Sequence, residues 1–413
     1  MEAMTKRNKI LFISIMLASL MQMVQFALTP GIAKINAEVF PEYPLSVIQT
    51  AMTLPSLLSM VFSLVSAFMI GKRWISKKMS VIIGLSLITG TSLVAVLLHE
   101  EFWHLCLFSV LIGTGMGFYI STSASIMFDN FNEDERRMSV GYQTSFINLG
   151  GIIMSVLGGI LANLVWYGGY LVLLLGVPII IACFIGIPND RKEAAAAAPA
   201  PQTPDGAAKS QKREKAGMPL DVLYYGAIAF TFLLIYTVCG TNISNHLKEA
   251  NIGNTATAGV ATAIQMAGGV TMGLFFSKLS ARLKDYALAL AYFIVFVGYT
   301  VINLGQQYLA VNFIGVFIVG TAISVIIPQT LFSISNRVNP ANSAAATAIV
   351  NTISPGLGSF ISPMVFTPLT TALAGESTKF RFEFVGIVAL VIGIVLVFTT
   401  RCRTGRERRR ADA

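Results

Sequence analysis

Three observations predict an all-α membrane protein with 12 transmembrane helices arranged as two six-helix pseudo-repeats. The 413 residues divide into about a dozen long apolar stretches separated by short loops, in a chain that is 54% hydrophobic, only 12% charged and has a mean hydropathy of +0.71. A soluble domain carries about twice that share of charge. Positive charge falls almost entirely into every second loop, and of the 29 Lys and Arg only Lys34, Lys248, Lys379 and Arg381 fall on the minority face. A shift of about 207 positions lays the basic loop Gly71 to Lys78 on Lys278 to Asp285, Asn132 on Asn339, and Asn148 to Gly151 on Pro355 to Gly358.

The spans follow in order from apolar runs and their polar boundaries. The first, 10–33, is too long for a signal-peptide core and lacks a small-residue cleavage pattern, so it is expected to stay in the mature protein. Next come 45–70, which ends at the basic loop Gly71, Lys72, Arg73, Lys77 and Lys78; 79–98; 103–128, which ends at Asp129; 138–163, which follows Arg136 and Arg137; and 167–187. The second set is 222–243 after Asp221, 257–280 before Lys278 to Lys284, 286–304 after Asp285, 307–335, 341–373 and 382–400. Each has roughly the 20 residues needed to cross the hydrocarbon core, and the tenth and eleventh overrun it. These spans divide the chain into an N-terminal half (1–187), a polar Ala- and Pro-rich linker (188–221), a C-terminal half (222–400) and a basic tail (401–413). The linker's low complexity predicts disorder.

The positive-inside rule then places both termini in the cytoplasm and the protein in a bacterial-type inner membrane. The net charge of +9 is accounted for by loops facing an anionic leaflet, with membrane lipid as the partner and no nucleic acid. Cys106, Cys183, Cys239 and Cys402 are scattered without metal-ligand or disulfide spacing, and no metal or other cofactor is expected.

Six plus six spans, a weak repeat and a polar central linker resemble the major facilitator superfamily over essentially the whole chain. That family's loop between spans 2 and 3 typically carries Gly, Asp, a second Gly and several basic residues. Here Gly71, Lys72, Arg73, Lys77 and Lys78 keep the position and the charge, without the Asp or the second Gly. Lys72 and Arg73 sit where the second span ends and favour its negative pole. Drug:proton antiporters of the family carry a glycine pattern in span 5, of which Gly141, Gly150, Gly158 and Gly159 are present, while Met154 and Ser155 stand where Gly-Pro would be. Small residues at helical spacing also pack membrane helices closely without any further role.

All 20 acidic residues fall in loops or at span ends, and His99, His104 and His246 fall near one edge. A proton-binding carboxylate deep in the cavity is therefore not expected, nor is a buried Arg or Lys that would clamp a carboxylate or phosphate substrate. Asp129, at the end of the fourth span, is the first boundary residue at which a proton could act as coupling ion. Mid-depth polarity is neutral. Gln22 and Gln25 share a helix face, as do Tyr119 and Thr122; Tyr236, Gln265 and Gln329 follow in the second half, and Gln143 and Asn351 complete the set. The resemblance implies that spans 1, 4, 7 and 10 line a central cavity, which makes Gln22, Gln25, Tyr119, Tyr236 and Gln329, with Gln265, the expected cavity residues. Helix-breaking or close-packing residues supply the expected hinges: Pro30, Asn148, Pro355 and Gly356, with the span-5 glycines.

The expected function is a monomeric secondary or facilitative transporter of a small, neutral or amphipathic organic solute by alternating access, and not an enzyme. Proton-coupled drug-type efflux is the alternative, and a non-transporting membrane sensor is the rival of a different class.

Overall fold

The structure is a computed structural model that describes residues 5–188, 220–335 and 346–411. The expected linker, apart from its two ends, together with Arg337 and Asn339, lies outside the described residues. The described residues form twelve helices long and apolar enough to cross a membrane. In the first half they are α1 (Lys6–Val39), α2 (Leu45–Gly71), α3 (Lys77–Leu97), α4 (Phe102–Asn130), α5 (Glu133–Leu164) and α6 (Gly168–Gly186). In the second they are α7 (Leu220–Glu249), α8 (Thr255–Leu283), α9 (Tyr286–Leu304), α10 (Leu309–Ser335), α11 (Ala346–Ala374) and α12 (Thr378–Ala411). The last continues as helix into the basic tail.

Local chemistry sets the ends. Thr5, Ser76, Asn132 and Asn254 each accept a backbone N–H of the first turn of α1, α3, α5 and α8. At Asn132 the Glu135 carboxylate returns the bond to the Asn132 N–H at 3.1 Å, closing a capping box. The basic loop opens with a left-handed turn. Arg73 has φ 58°, its N–H reaches the Ile70 carbonyl, the Trp74 N–H reaches Met69, and Trp74 packs edge-on to Phe68. Lys72 lies over the Phe68 ring and Lys78 over Phe184, so both ammonium groups stay at the helix ends with their stems on apolar surface.

Two separate cores hold the helices. One runs from Leu11 to Ile187, the other from Val222 to Leu396. Packing repeats between them: α2 and α3 pack on α4, α5 on α1, and α6 on α1 and α3; α8 and α9 pack on α10, α11 on α7, and α12 on α7 and α9. The halves meet along α2 with α11 and α5 with α8. The ends of α1 and α12 that bear the termini define what is called here the terminal face; the opposite surface is the far face.

The first helix is broken. A 3-10 segment, Leu20–Ala27, interrupts it with Met23 at φ −109° and ψ 32°; a second 3-10 turn, Thr29–Gly31, and a π turn, Ile35–Val39, follow. Such departures at membrane depth persist where protein rather than lipid surrounds the backbone. Here the surround is α5. A Cβ on Gly150 or Gly158 would collide with the backbone of Leu20 or Ala27, the two ends of that segment, so glycine at both positions lets α5 lie against main chain.

Candidate functional site

A cavity of about 230 Å³ lies between the halves at the break in α1. Met23, Gln25, Phe26 and Thr29 of α1 line it with Met52 and Thr53 of α2, Asn148 of α5, Tyr236 and Thr241 of α7, and Gln265 and Met266 of α8. The 3-10 segment turns Met23, Gln25 and Phe26 together toward this space. Three buried side-chain oxygens on its wall have no hydrogen-bond partner among the described residues: Gln25 Oε1, Thr29 Oγ1 and the Tyr236 hydroxyl, which lies beside the Gln265 amide. A buried polar atom left unpaired costs about 1–3 kcal/mol, so three around one cavity mark a place that a polar ligand group would satisfy. The rest of the wall is mostly apolar, from Met23, Phe26, Met52 and Met266, with the amides of Asn148 and Gln265 and the hydroxyls of Thr53 and Thr241 set into it.

Of the cavity residues expected from the sequence, Gln25, Tyr236 and Gln265 are brought together here, and Asn148, expected as a hinge, joins them with its amide donating to the Thr144 carbonyl at 2.9 Å. The others lie elsewhere. Tyr119 is fully buried inside the first half and donates to the Ala18 carbonyl at 2.8 Å, with Gln22 beside it. Gln329 accepts from Ser280 at 2.7 Å and donates to Ser333, whose hydroxyl bonds Asp285 at 2.6 Å; this chain ties α8, α9 and α10 near the terminal face. Gln143 bonds Ser123 at 3.2 Å within the first half. Asp129 forms an ion pair with Lys77 of the basic loop, Lys77 also bonds Ser125 at 2.7 Å, and half of the Asp129 side chain is exposed.

Several of the expected hinges sit at the seam between the halves, while Gly150 and Gly158 lie against α1 within the first half. The Pro30 carbonyl accepts the Ser244 hydroxyl of the other half at 2.6 Å. Gly159 faces Gly259 of α8, and Gly151 faces Met266. Pro355 follows a π turn, Ile349–Ile353, and Gly356 approaches the Ser56 carbonyl of α2. Gly141 lies within α5.

One basic residue lies where the sequence did not place it: Arg381, read as a charge on the minority face outside its span, is 1% exposed. Its span begins at Thr378 rather than 382, which draws the guanidinium inside α12. It donates to Asn242 Oδ1 at 2.6 Å, Thr370 Oγ1 at 2.9 Å and Thr371 Oγ1 at 3.2 Å. Asn242 Oδ1 also accepts from Gln49 Nε2 of the first half at 2.9 Å; the same amide nitrogen reaches the Thr241 carbonyl, and Thr367 donates to Gln49 Oε1. Gln49 was missed for a plain reason: it lies near the start of its span, away from mid-depth.

This arrangement, two six-helix units around an interfacial cavity, is that of a multi-pass membrane transporter. The chain belongs to the Major Facilitator Superfamily, whose model matches residues 11–363. No curated protein matches it in sequence. Among solved structures it resembles the peptide transporter POT in complex with sulfate, at 14% identity and TM-score 0.73 over 96% of this chain and 95% of that one. It is also similar to a bacterial homologue of the human lysosomal transporter Spinster, in an inward-facing and unoccupied conformation, at 14% identity and TM-score 0.71 over 96% and 97%. A third is the nucleoside transporter NupG, at 11% identity and TM-score 0.70 over 95% and 99%. At these identities the likeness is one of fold.

Proposed function

We propose that this member of the superfamily carries a small organic solute by alternating access, with the cavity at the α1 break as the solute site. The observation that supports this best is the set of oxygens of Gln25, Thr29 and Tyr236, unpaired among the described residues, on a mostly apolar wall. With no acidic or basic side chain among the described residues of that wall, the solute is neutral or amphipathic: it offers a donor to Gln25 and an apolar body to Met23, Met52 and Met266. Among the described residues the named hydrogen bonds that cross between halves gather toward the far face, which supports a state open to the terminal face. The charge skew supports cytoplasmic termini in an inner membrane.

A thermal-shift screen of the purified protein against metabolites and drugs tests the reading, since a ligand that binds only the folded state raises the melting temperature. Hits are then followed as flux in liposomes. Flux identifies a carrier, and binding without flux identifies a sensor. Drug-type efflux is the second reading, favoured by Gly150 and Gly158 at their contacts with α1. It requires flux driven by an imposed pH gradient, and loss of that drive in Asp129→Asn would make Asp129 the coupling residue.

A further inference from the structure

The first turn of α12 stands outside the seam between the halves, yet it reaches the seam through α7. Asn242, His246 and Glu249 lie at i, i+4 and i+7 and so form one stripe of α7. Thr378 donates its N–H and hydroxyl to Glu249 Oε2 at 3.0 and 2.6 Å, and its oxygen lies 3.1 Å from His246 Nδ1. One turn later Arg381 takes Asn242. The guanidinium makes no ion pair among the described residues; Glu249 and Glu376 lie near enough to offset its charge without contact. A buried cation bonded only to neutral groups is costly, and it persists where the geometry it enforces is used.

What it enforces is the direction of one amide. The Asn242 side-chain nitrogen is held by the Val238 carbonyl at 2.9 Å and Thr241 Oγ1 at 3.0 Å, and its oxygen is shared by Arg381 and by Gln49 across the seam. Without the guanidinium, nothing on the α12 side keeps Oδ1 turned toward Gln49.

We propose that Arg381 is a positioning residue of the transport cycle: by orienting Asn242 for Gln49, it latches the far-face gate from a helix that does not itself line the seam. The latch rests on the alternating-access reading above. Opening the far face breaks the Gln49 bonds and leaves Asn242 with Arg381, so the latch re-forms in register when the halves close again.

The test places spin labels at the exposed far-face positions Glu42→Cys and Ala374→Cys, one on each half, in a Cys402→Ser background, and measures their separation in lipid nanodiscs. Gln49→Ala and Arg381→Ala each raise the long-distance population on the order of tenfold, the factor that loss of one buried hydrogen bond at the closed gate implies. The double variant adds little to the larger single effect, because both act through Asn242. Asn242→Asp, which sets a carboxylate against the guanidinium, lowers that population, an opposite shift that a purely structural arginine would not produce. If Arg381→Ala fails to fold, Asn242→Leu keeps the arginine, removes the shared oxygen and must match Gln49→Ala. A separation that moves in Gln49→Ala but not in Arg381→Ala or Asn242→Leu overturns the latch and leaves alternating access standing. A separation that no variant moves overturns both.

Discussion

The two faces of the molecule are bonded in different ways. At the far face one set of bonds crosses between halves, Gln49 to Thr241 and Asn242, Thr367 to Gln49, Ser244 to Pro30 and the pair Lys248–Glu38, beside others such as Thr378 to Glu249 and Arg381 to Thr370 that stay within the second half. At the terminal face the bonds named among the described residues stay within one half: Asn8 to Glu135, Lys77 to Asp129, Tyr225 to Asp285 and Arg403 to Asp221. The first set consists mostly of buried neutral bonds, which water does not weaken; the second is largely ionic and partly exposed, where solvent screens it. A carrier needs this division. Each half must survive as a unit while the seam opens, and the two cores, which share no buried residue, allow that.

The largest expected effect comes from wedging the seam itself. A Cβ on Gly259 would meet the Ser155 carbonyl, and one on Gly159 would meet the Gly259 backbone, so Gly259→Leu holds the far face apart. Flux should be lost while each half keeps its helices, read as unchanged circular dichroism with far-face spin-label distances fixed at the long value. If Gly259→Leu unfolds the protein, the halves are not independent units and the comparison fails.

Next is Gln49→Ala, which leaves the Asn242 and Thr367 oxygens short of a partner and costs the closed far face about 1–3 kcal/mol. Its signature is a changed balance between faces; a lowered melting temperature with unchanged distances would make Gln49 ordinary packing. The smallest effect is expected at the terminal face. Lys77→Met removes a partly exposed pair and should cost no more than about 1 kcal/mol of stability, with far-face distances unaltered. A shift in those distances would show that the terminal-face pairs also govern opening.

How much of this was legible in the sequence depends on what each residue's position encodes. Spans and their pairing into halves come from apolar length and alternating charge, which the bilayer imposes directly on composition. The break in α1 was only partly visible: Pro30 and Gly31 mark its end, but nothing in Gln22-Met23-Val24 announces the 3-10 segment, which exists because Gly150 and Gly158 bring α5 backbone onto it. The amides were all visible and could not be sorted. Gln25 and Gln329 have the same side-chain chemistry, and tertiary packing puts one on the cavity wall and the other among Ser280 and Ser333 near the terminal face. Arg381 was hidden by a boundary, since four more residues of helix at the start of α12 carry it from the surface into the interior.

Those two glutamines supply the most direct test of the central claim, that the solute binds at the α1 break. For a solute found by thermal shift, affinity and melting temperature are measured for Gln25→Ala and Gln329→Ala side by side. Gln25→Ala should weaken binding by on the order of tenfold and leave the unliganded melting temperature nearly unchanged, because its Oε1 has no protein partner to strand. Gln329→Ala should do the reverse, lowering the melting temperature while the affinity holds. Normal binding by Gln25→Ala, with the loss of affinity falling on Gln329→Ala instead, would contradict the account and move the site toward the terminal end of α10.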